Sequence, residues 1–308
     1  MTYAPNIIDL SRVPAPDAIA ILSSETMIRA FLDRFKVQWD AARVKNPRLP
    51  VYDADPLELD PVVILAQAWS YFRLLDRQAV NDAVKAVFAP LAKGADLDNI
   101  AASVNIVRQV IQPATDTQPE ILESDERLLY RYLLAFDAPS AGSKNRFILE
   151  AMQVWPLMGG CQINGYAVHG RRGDVDVVVM GPNGRDPTND EIALVRNAVL
   201  APDVRPEAVA VNVLRAKRIV YDASFVVSIS DGPERELVRN EVKTRVRNAA
   251  TARTAIGGQI PEGYLIGSTY GGNVLSARDR NPIHILPDLY SVPVLGSVTV
   301  LFEDEVTS

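Results

Sequence analysis

The 308-residue sequence predicts an α+β protein: a helical N-terminal half followed by two small α/β domains with short mixed sheets. Three observations predict it. Apolar residues recur at helical spacing in successive segments up to Trp155. Beyond "LMGGCQINGYAVHG" the period shifts to two, with valine, glycine and turn residues enriched. Past that shift, strand-like runs alternate with helical segments that carry capping signals. At 48% hydrophobic residues the chain is able to bury a substantial core. The expected divisions are a helical region at 1–110, a helical connector at 111–160, a first α/β domain at 161–217 and a second at 218–308.

The first helical segment is "SSETMIRAFLDRFKVQWDAARV", in which Ile28, Phe31, Leu32, Phe35 and Trp39 fall at i, i+3, i+4, i+7 and i+11. Ser24 is its expected N-cap. "NPRLPVYDADPLELDP" breaks the period with four prolines, and Asp60 with Pro61 supplies a cap and a first-turn proline for the next helix. That helix covers at least "VVILAQAWSYFRLLDRQAVNDAVKAVF", with Leu65, Trp69, Phe72, Asp76, Val80, Val84 and Val87 along one mostly apolar face. Pro90 ends or kinks it by removing a backbone donor and crowding the preceding turn.

The stretch "GADLDNIAASVNIVR" at 94–108 holds a glycine and two aspartates that would also suit a cation or phosphate loop. Its spacing favours a helix-to-helix corner. Gly94 is expected as a left-handed C-cap. Leu97, Ile100, Ala101 and Val104 form a short stripe that Asp96 is placed to cap, and Asp98 lies in the first turn, where the helix dipole favours an acid. Arg108 is expected to pair with one of these acids or with a neighbouring chain.

"VIQPATDTQPEILE" is a partly extended connector. "SDERLLYRYLLAF" follows as a helix with Ser124 as cap and Leu129, Tyr132, Leu133 and Phe136 in register. "APSAGSKN" is a turn, and "RFILEAMQVW" a helix stopped by Pro156. In "GDVDVVVMG" the alternation places Val175, Val177 and Val179 on one strand face and Asp174 and Asp176 on the other, solvated one, with "GPNG" as the closing turn. Thr188 and Glu191 are spaced as a capping box for "TNDEIALVRNAVL", whose buried side is Ile192, Val195 and Val199. "EAVAVNVLRAKRIVYDASFVVSIS" contains two strand-like runs. "PERELVRNEVKTRVRNAA" is helical, with Val238, Val242, Val246 and Ala249 aligned, and "IHILPD" and "GSVTVLFED" are short edge strands. "LVRN" occurs in both late helices, at 194–197 and 237–240, too short a match to establish a duplication.

Chemistry is sparse. The formal net charge of -6 argues against nucleic acid as a partner. The single cysteine, Cys161, cannot form an intramolecular disulfide, so a reducing compartment is expected, and its place before a strand suits a small half-buried residue better than a nucleophile. The N-terminus lacks a signal-peptide pattern, and no window approaches the ~18 apolar residues of a membrane span. His169 and His284 are far apart with no metal-ligand spacing, and GxSxG, GxxxxGK[ST] and GxGxxG are absent. Neither a cofactor nor a metal is expected, and the enzyme expectation is negative. The alternative is a hydrolase or transferase with a carboxylate site near Asp174 and Asp176. Arg171 and Arg172 in "HGRRGD" and the cluster "LRAKRIVY" suit a hairpin tip or a protein interface.

The collinear order of these weak motifs carries a resemblance. Asp60 and Pro61, Leu65 and Tyr71, Arg77 and Asn81, then Gly94, Leu97, Asp98, Ala101 and Arg108, followed by Glu123, Asp125 and "SAGS" at 140–143, resemble the baseplate J-like family of contractile-tailed bacteriophages. "GDVDVVVMGPNGRDPTNDEIALVRNAVLAPDVRPEAVAVNV" is similar to that family's strand, turn, helix and "RP" linker, and the resemblance runs from about residue 20 to 303. Pro90 departs from the aliphatic or alanine residues usual before the glycine.

The resemblance implies a structural baseplate wedge protein, not an enzyme. It would link neighbouring wedges into a six-fold ring around the hub and transmit the rearrangement that triggers sheath contraction. Implied partners are a second copy of itself in a non-equivalent dimer, a second wedge protein through a helical bundle, and nearby hub and sheath-initiator-like proteins. The implied location is the virion tail baseplate, after synthesis and assembly in the bacterial host cytoplasm; a phage-tail-like particle fits the sequence equally. The candidate partner-interface residues are Ile28, Phe31, Leu32, Phe35 and Trp39, and the structural helix corner is Gly94, Asp96, Leu97, Asp98 and Arg108.

Overall fold

Three helices open the computed structural model, which describes residues 16, 19, 23–52, 60–136, 140–230 and 234–306. Helix α1 (Ser24–Lys45) is capped by Ser23, whose Oγ accepts from the Thr26 amide at 3.3 Å. The expected cap, Ser24, lies one residue inside, because in "SS" the first serine keeps extended backbone and so aims its hydroxyl at the free amides. Helix α2 (Pro61–Ala86) starts at its N1 proline with no side-chain cap from Asp60, and closes before Pro90.

Gly94 does adopt positive φ (54°), but as the N-cap of α3 (Ala95–Ala102), since turns over 87–93 separate it from the end of α2. Asp96 therefore cannot cap: it and Asp98 both sit in the first turn, where their charge favours the dipole. A Cβ at Gly94 would meet nothing within 4 Å, so backbone conformation rather than space selects glycine. The chain divides into two compact units that meet at residues 103 and 104, and α1 to α3 belong to the first.

The second unit opens with a small antiparallel ribbon, β1 (Val110–Gln112) and β2 (Ile121–Leu122). Helices α4 (Asp125–Ala135) and α5 (Lys144–Val154) follow, capped by Ser124 and Ser143. The buried side of α4 is Leu128, Arg131 and Leu134, not the expected stripe. Phe136 is exposed and meets Tyr132 edge-on at 5.2 Å, because a buried carboxylate on Glu123 draws Arg131 inward and turns the helix with it.

Strand β3 (Gly160–Asn164), helix α6 (Tyr166–His169), strand β4 (Asp174–Met180), helix α7 (Asn189–Val199) and strand β5 (Ala210–Arg215) form the first α/β layer. The order is β3-β4-β5, with β4 antiparallel to β3 and parallel to β5. The capping box on α7 is present, and Ile192, Val195 and Val199 are its buried side. Central β4 is buried on both faces: Val177, Val178 and Val179 are all fully buried. Val178 and Met180, on the same strand face as Asp176, pack with the linker residue Ala216 and with Val292 of the following domain. That face is an internal junction, which corrects the expectation of a solvated side.

Ala216 alone separates β5 from β6 (Lys217–Ile229), the centre of a second sheet of order β7-β6-β8. Strand β7 (Val274–Asp279) is antiparallel to β6 and β8 (Ser291–Phe302) parallel to it. Helix α8 (Arg235–Thr251) buries Val238, Val242, Val246 and Ala250 against the odd-numbered residues of β6, among them Phe225 and Val227. Ala250 thus takes the place expected of Ala249. Short helices α9 (Tyr264–Gly267) and α10 (Glu303–Val306) complete the domain. "IHILPD" contributes only an isolated bridge, Ile285 to Ile260, instead of a strand.

The whole is α+β, with a helical N-terminal region followed by small mixed sheets. Phe225 is fully buried at the centre of the second sheet. Phe225→Ala is therefore expected to lower unfolding free energy by roughly 3–5 kcal/mol, measured as a shift in denaturant midpoint.

Candidate functional site

Asp174 and Asp176 are brought together with one cation, but as structure. Asp176 is 1% exposed. Its Oδ2 accepts from Arg171 Nη2 at 2.6 Å and from the Tyr290 hydroxyl at 2.8 Å, and its Oδ1 accepts from Asn212 Nδ2 at 3.1 Å. Asp174, nearer the surface, accepts from Arg171 Nε at 2.9 Å. Burial by itself pushes the Asp176 carboxyl up. The hydrogen bonds from Tyr290, Arg171 and Asn212, with the Arg171 charge, outweigh burial and hold it below the usual carboxylate range. Both oxygens are occupied and the charge is stabilised, so this group is a weak base for proton abstraction.

The other titratable candidates are dispersed. His169 stands behind Arg171: its Nδ1 accepts the Arg171 amide at 3.1 Å and its Nε2 faces the Asn164 carbonyl at 3.2 Å. His284 is exposed on a different segment. Burial pushes the Cys161 thiol up to about 12, far from a thiolate nucleophile. Among the described residues, no three His, Cys, Asp or Glu side chains converge as a metal site, and no helix is long and apolar enough to cross a membrane. A cavity of about 460 Å³ lies between Ile111, Glu123, Arg127, Leu157 and Met180, and another of about 540 Å³ reaches Tyr130 and Cys161. Neither is lined by Asp174 or Asp176.

Arg108 donates to Asp125 at 2.7 Å through one guanidinium nitrogen and to the Glu123 carbonyl at 2.6 Å through another. These bonds tie the chain entering β1 to the start of α4. Beside them the fully buried Glu123 side chain accepts from Arg131 Nη1 at 2.6 Å and from the Gln109 amide at 3.1 Å, and Arg127 Nε lies 3.5 Å from its other oxygen. Burial lowers the Arg127 guanidinium and the nearby Arg131 adds to this, with Glu123 opposing both. Sequence reasoning passed over Arg131. The available signal was an arginine at the inward register of α4, eight residues after an acid.

The candidate interface residues Ile28, Phe31, Leu32, Phe35 and Trp39 are each half-buried. Within the helical unit Phe31 meets Trp69 of α2 at 5.3 Å, Phe35 meets Tyr52 edge-on at 5.2 Å, and Trp39 Nε1 donates to the Pro50 carbonyl at 3.0 Å. The more open apolar face lies on α2. Leu65, Ala68, Phe72, Leu75 and Ala79 follow one another at spacings that alternate between three and four, the pattern of a helix-packing seam. All five are exposed, Leu65 by 59% and Phe72 by 64%, and Ile64 and Tyr71 flank them. Val63, Ala66, Ser70 and Asn81 mark the buried side of the same helix.

Two outcomes follow from the buried acids. Glu123→Ala strands Arg131 in the interior, and an unfolding free energy lowered by about 3–5 kcal/mol is expected, measured by denaturant titration. For Asp176 the folded pKa lies below the unfolded one, so its stabilisation is complete above the unfolded carboxyl pKa and lost as pH falls through the folded value. Asp176→Asn should accordingly flatten the acid side of the stability–pH curve, measured by urea titration from neutral to acid pH.

Residues 58–115, which span α2, α3 and the 94–108 corner, match the Baseplate J-like N-terminal domain. The chain is 31% identical over 269 residues to baseplate protein J of Escherichia phage P2, covering 82% of this chain and 83% of that protein. With its motifs in collinear order over a helical region and two small mixed sheets, the chain belongs to the baseplate J-like family.

Proposed function

We propose that this chain is a structural wedge protein of a contractile-tail baseplate. It links neighbouring wedges into a six-fold ring around the hub and transmits the rearrangement that triggers sheath contraction. The observation that carries this reading is the apolar seam on α2, lying inside the residues that match the family's N-terminal domain. Leu65, Phe72 and Leu75 at heptad spacing, exposed to water, are costly to leave uncovered and suit a partner helix laid along them.

In this reading the hairpin of α1 and α2 joins a bundle with helices of a second copy and of a second wedge protein. Ile28, Phe31, Leu32, Phe35 and Trp39 set the hairpin's shape and add their open edges to the interface. The regions 1–110 and 111–160 serve the inner bundle, while 161–217 and 218–308 contact the adjacent copy, with hub and sheath-initiator-like proteins nearby. The protein resides in the virion tail baseplate after assembly in the host cytoplasm. The relative from phage P2 is itself named a baseplate protein.

The test combines a variant with imaging. Leu65→Asp with Phe72→Asp, both at exposed positions, should leave the thermal transition of the isolated chain unchanged while reducing assembled baseplates at least about tenfold, counted by electron microscopy. Normal assembly of the double variant, or density that puts this chain outside the baseplate, would overturn the proposal.

A further inference from the structure

The junction between the two α/β domains combines a few buried apolar residues with specific polar bonds. Each domain has its own core, around Val177 and Val195 in one and Phe225 and Val242 in the other. Between them, the buried apolar residues are Val178, Met180, Ala216 and Val292, with Tyr290 and Val294 at the margin. Across this seam the Tyr290 hydroxyl donates to Asp176, and Asn164 Nδ2, itself fully buried, donates to the Leu289 carbonyl at 2.9 Å. Inside the second domain the Lys217 amide donates to the Tyr290 carbonyl at 2.8 Å and ties the Tyr290 segment to β6.

We propose that Asp176 is an interdomain latch: it locks the two α/β domains into one lever through Tyr290, and loss of that bond lets the second domain part from the first without unfolding either. The geometry separates the two jobs of the carboxylate. Arg171, from the turn before β4, and Asn212, from the neighbouring β5, belong to the first domain and keep the group charged and oriented. Tyr290 is the sole donor to it from the second domain among the described residues. Asp174 shares Arg171 and the His169 ring backs the Arg171 amide, so the anchor on the first domain persists when Tyr290 is removed. On the other side the Asp288 carboxylate accepts the Tyr290 amide at 3.1 Å and sets the direction of its ring.

The connection at the seam is short enough to act as a pivot, since only Ala216 separates β5 from β6. Gly184 reinforces the closed arrangement. It has φ of 73°, and a Cβ there would come within 2.7 Å of Val294 Cγ2 on β8, so the two surfaces meet with no spare room. A locked junction passes any displacement of one domain directly to the other, whereas an unlatched one dissipates it at the pivot. The inference concerns this chain alone and does not rest on the proposed assembly role.

The test is hydrogen exchange on the full chain, comparing wild type with Tyr290→Phe and Asp176→Asn. Tyr290→Phe keeps the ring in the apolar seam and removes only the hydroxyl, so it carries the test even if Asp176→Asn folds poorly. Losing a hydrogen bond to a charged acceptor should raise opening of the seam on the order of tenfold or more. The expected result is that much faster exchange across 286–291, the segment held at the seam through Tyr290 and Leu289, with β4 and the Phe225 and Val300 amides unchanged. Unchanged exchange at the seam would overturn the latch, as would equal acceleration at the seam and in both cores, which marks a bond contributing only to global stability.

Discussion

A carboxylate taken out of water has to be matched by donors, because an unmatched buried charge costs more than almost any other defect. Two such carboxylates organise residues 104–308. Glu123 gathers Arg131, the Gln109 amide and Arg127, and by doing so fixes how the chain enters β1 and how α4 is rotated. Asp176 gathers Arg171, Asn212 and Tyr290, and so fixes which face of the first sheet meets the second domain. The apolar cores fill the space that these two buried acids define.

The helical unit follows a different rule. Its aromatic residues stitch α1 to α2 through Phe31 with Trp69 and Phe35 with Tyr52, yet no residue of α1 is fully buried and the outward seam of α2 stays open. Hydrophobic surface in the α/β domains lies inside, between sheet and helix. In the hairpin a comparable quality of surface lies outside, where another helix can use it. This open seam is the surface on which the proposed bundle with neighbouring chains rests.

Periodicity located nearly every helix, and local capping chemistry located several of their ends. Ser124, and Thr188 with Glu191, cap where their spacing requires, because those bonds lie within one turn of the chain. Errors arose where a distant group decided a local outcome. The face of α4 turned by about one position because of Glu123, and Arg108 reaches Asp125 because the ribbon β1–β2 folds back beside α4. Spacing also identified the face shared by Asp174 and Asp176, but not what covers it. A strand's period of two is the same whether its polar face meets water or a tyrosine from a residue more than a hundred positions away.

The sequence by itself determined the α+β class, the order of the elements, the capping of α7 and the family, since all of these are written in residue type and short-range spacing. Only the tertiary structure decided that the Asp176 carboxylate is a buried tie between domains, that Glu123 is the hub for three arginines, and that α2 rather than α1 presents the open apolar seam. Burial and long-range partnership set those outcomes. Both are properties of which surfaces meet, and no local pattern records that.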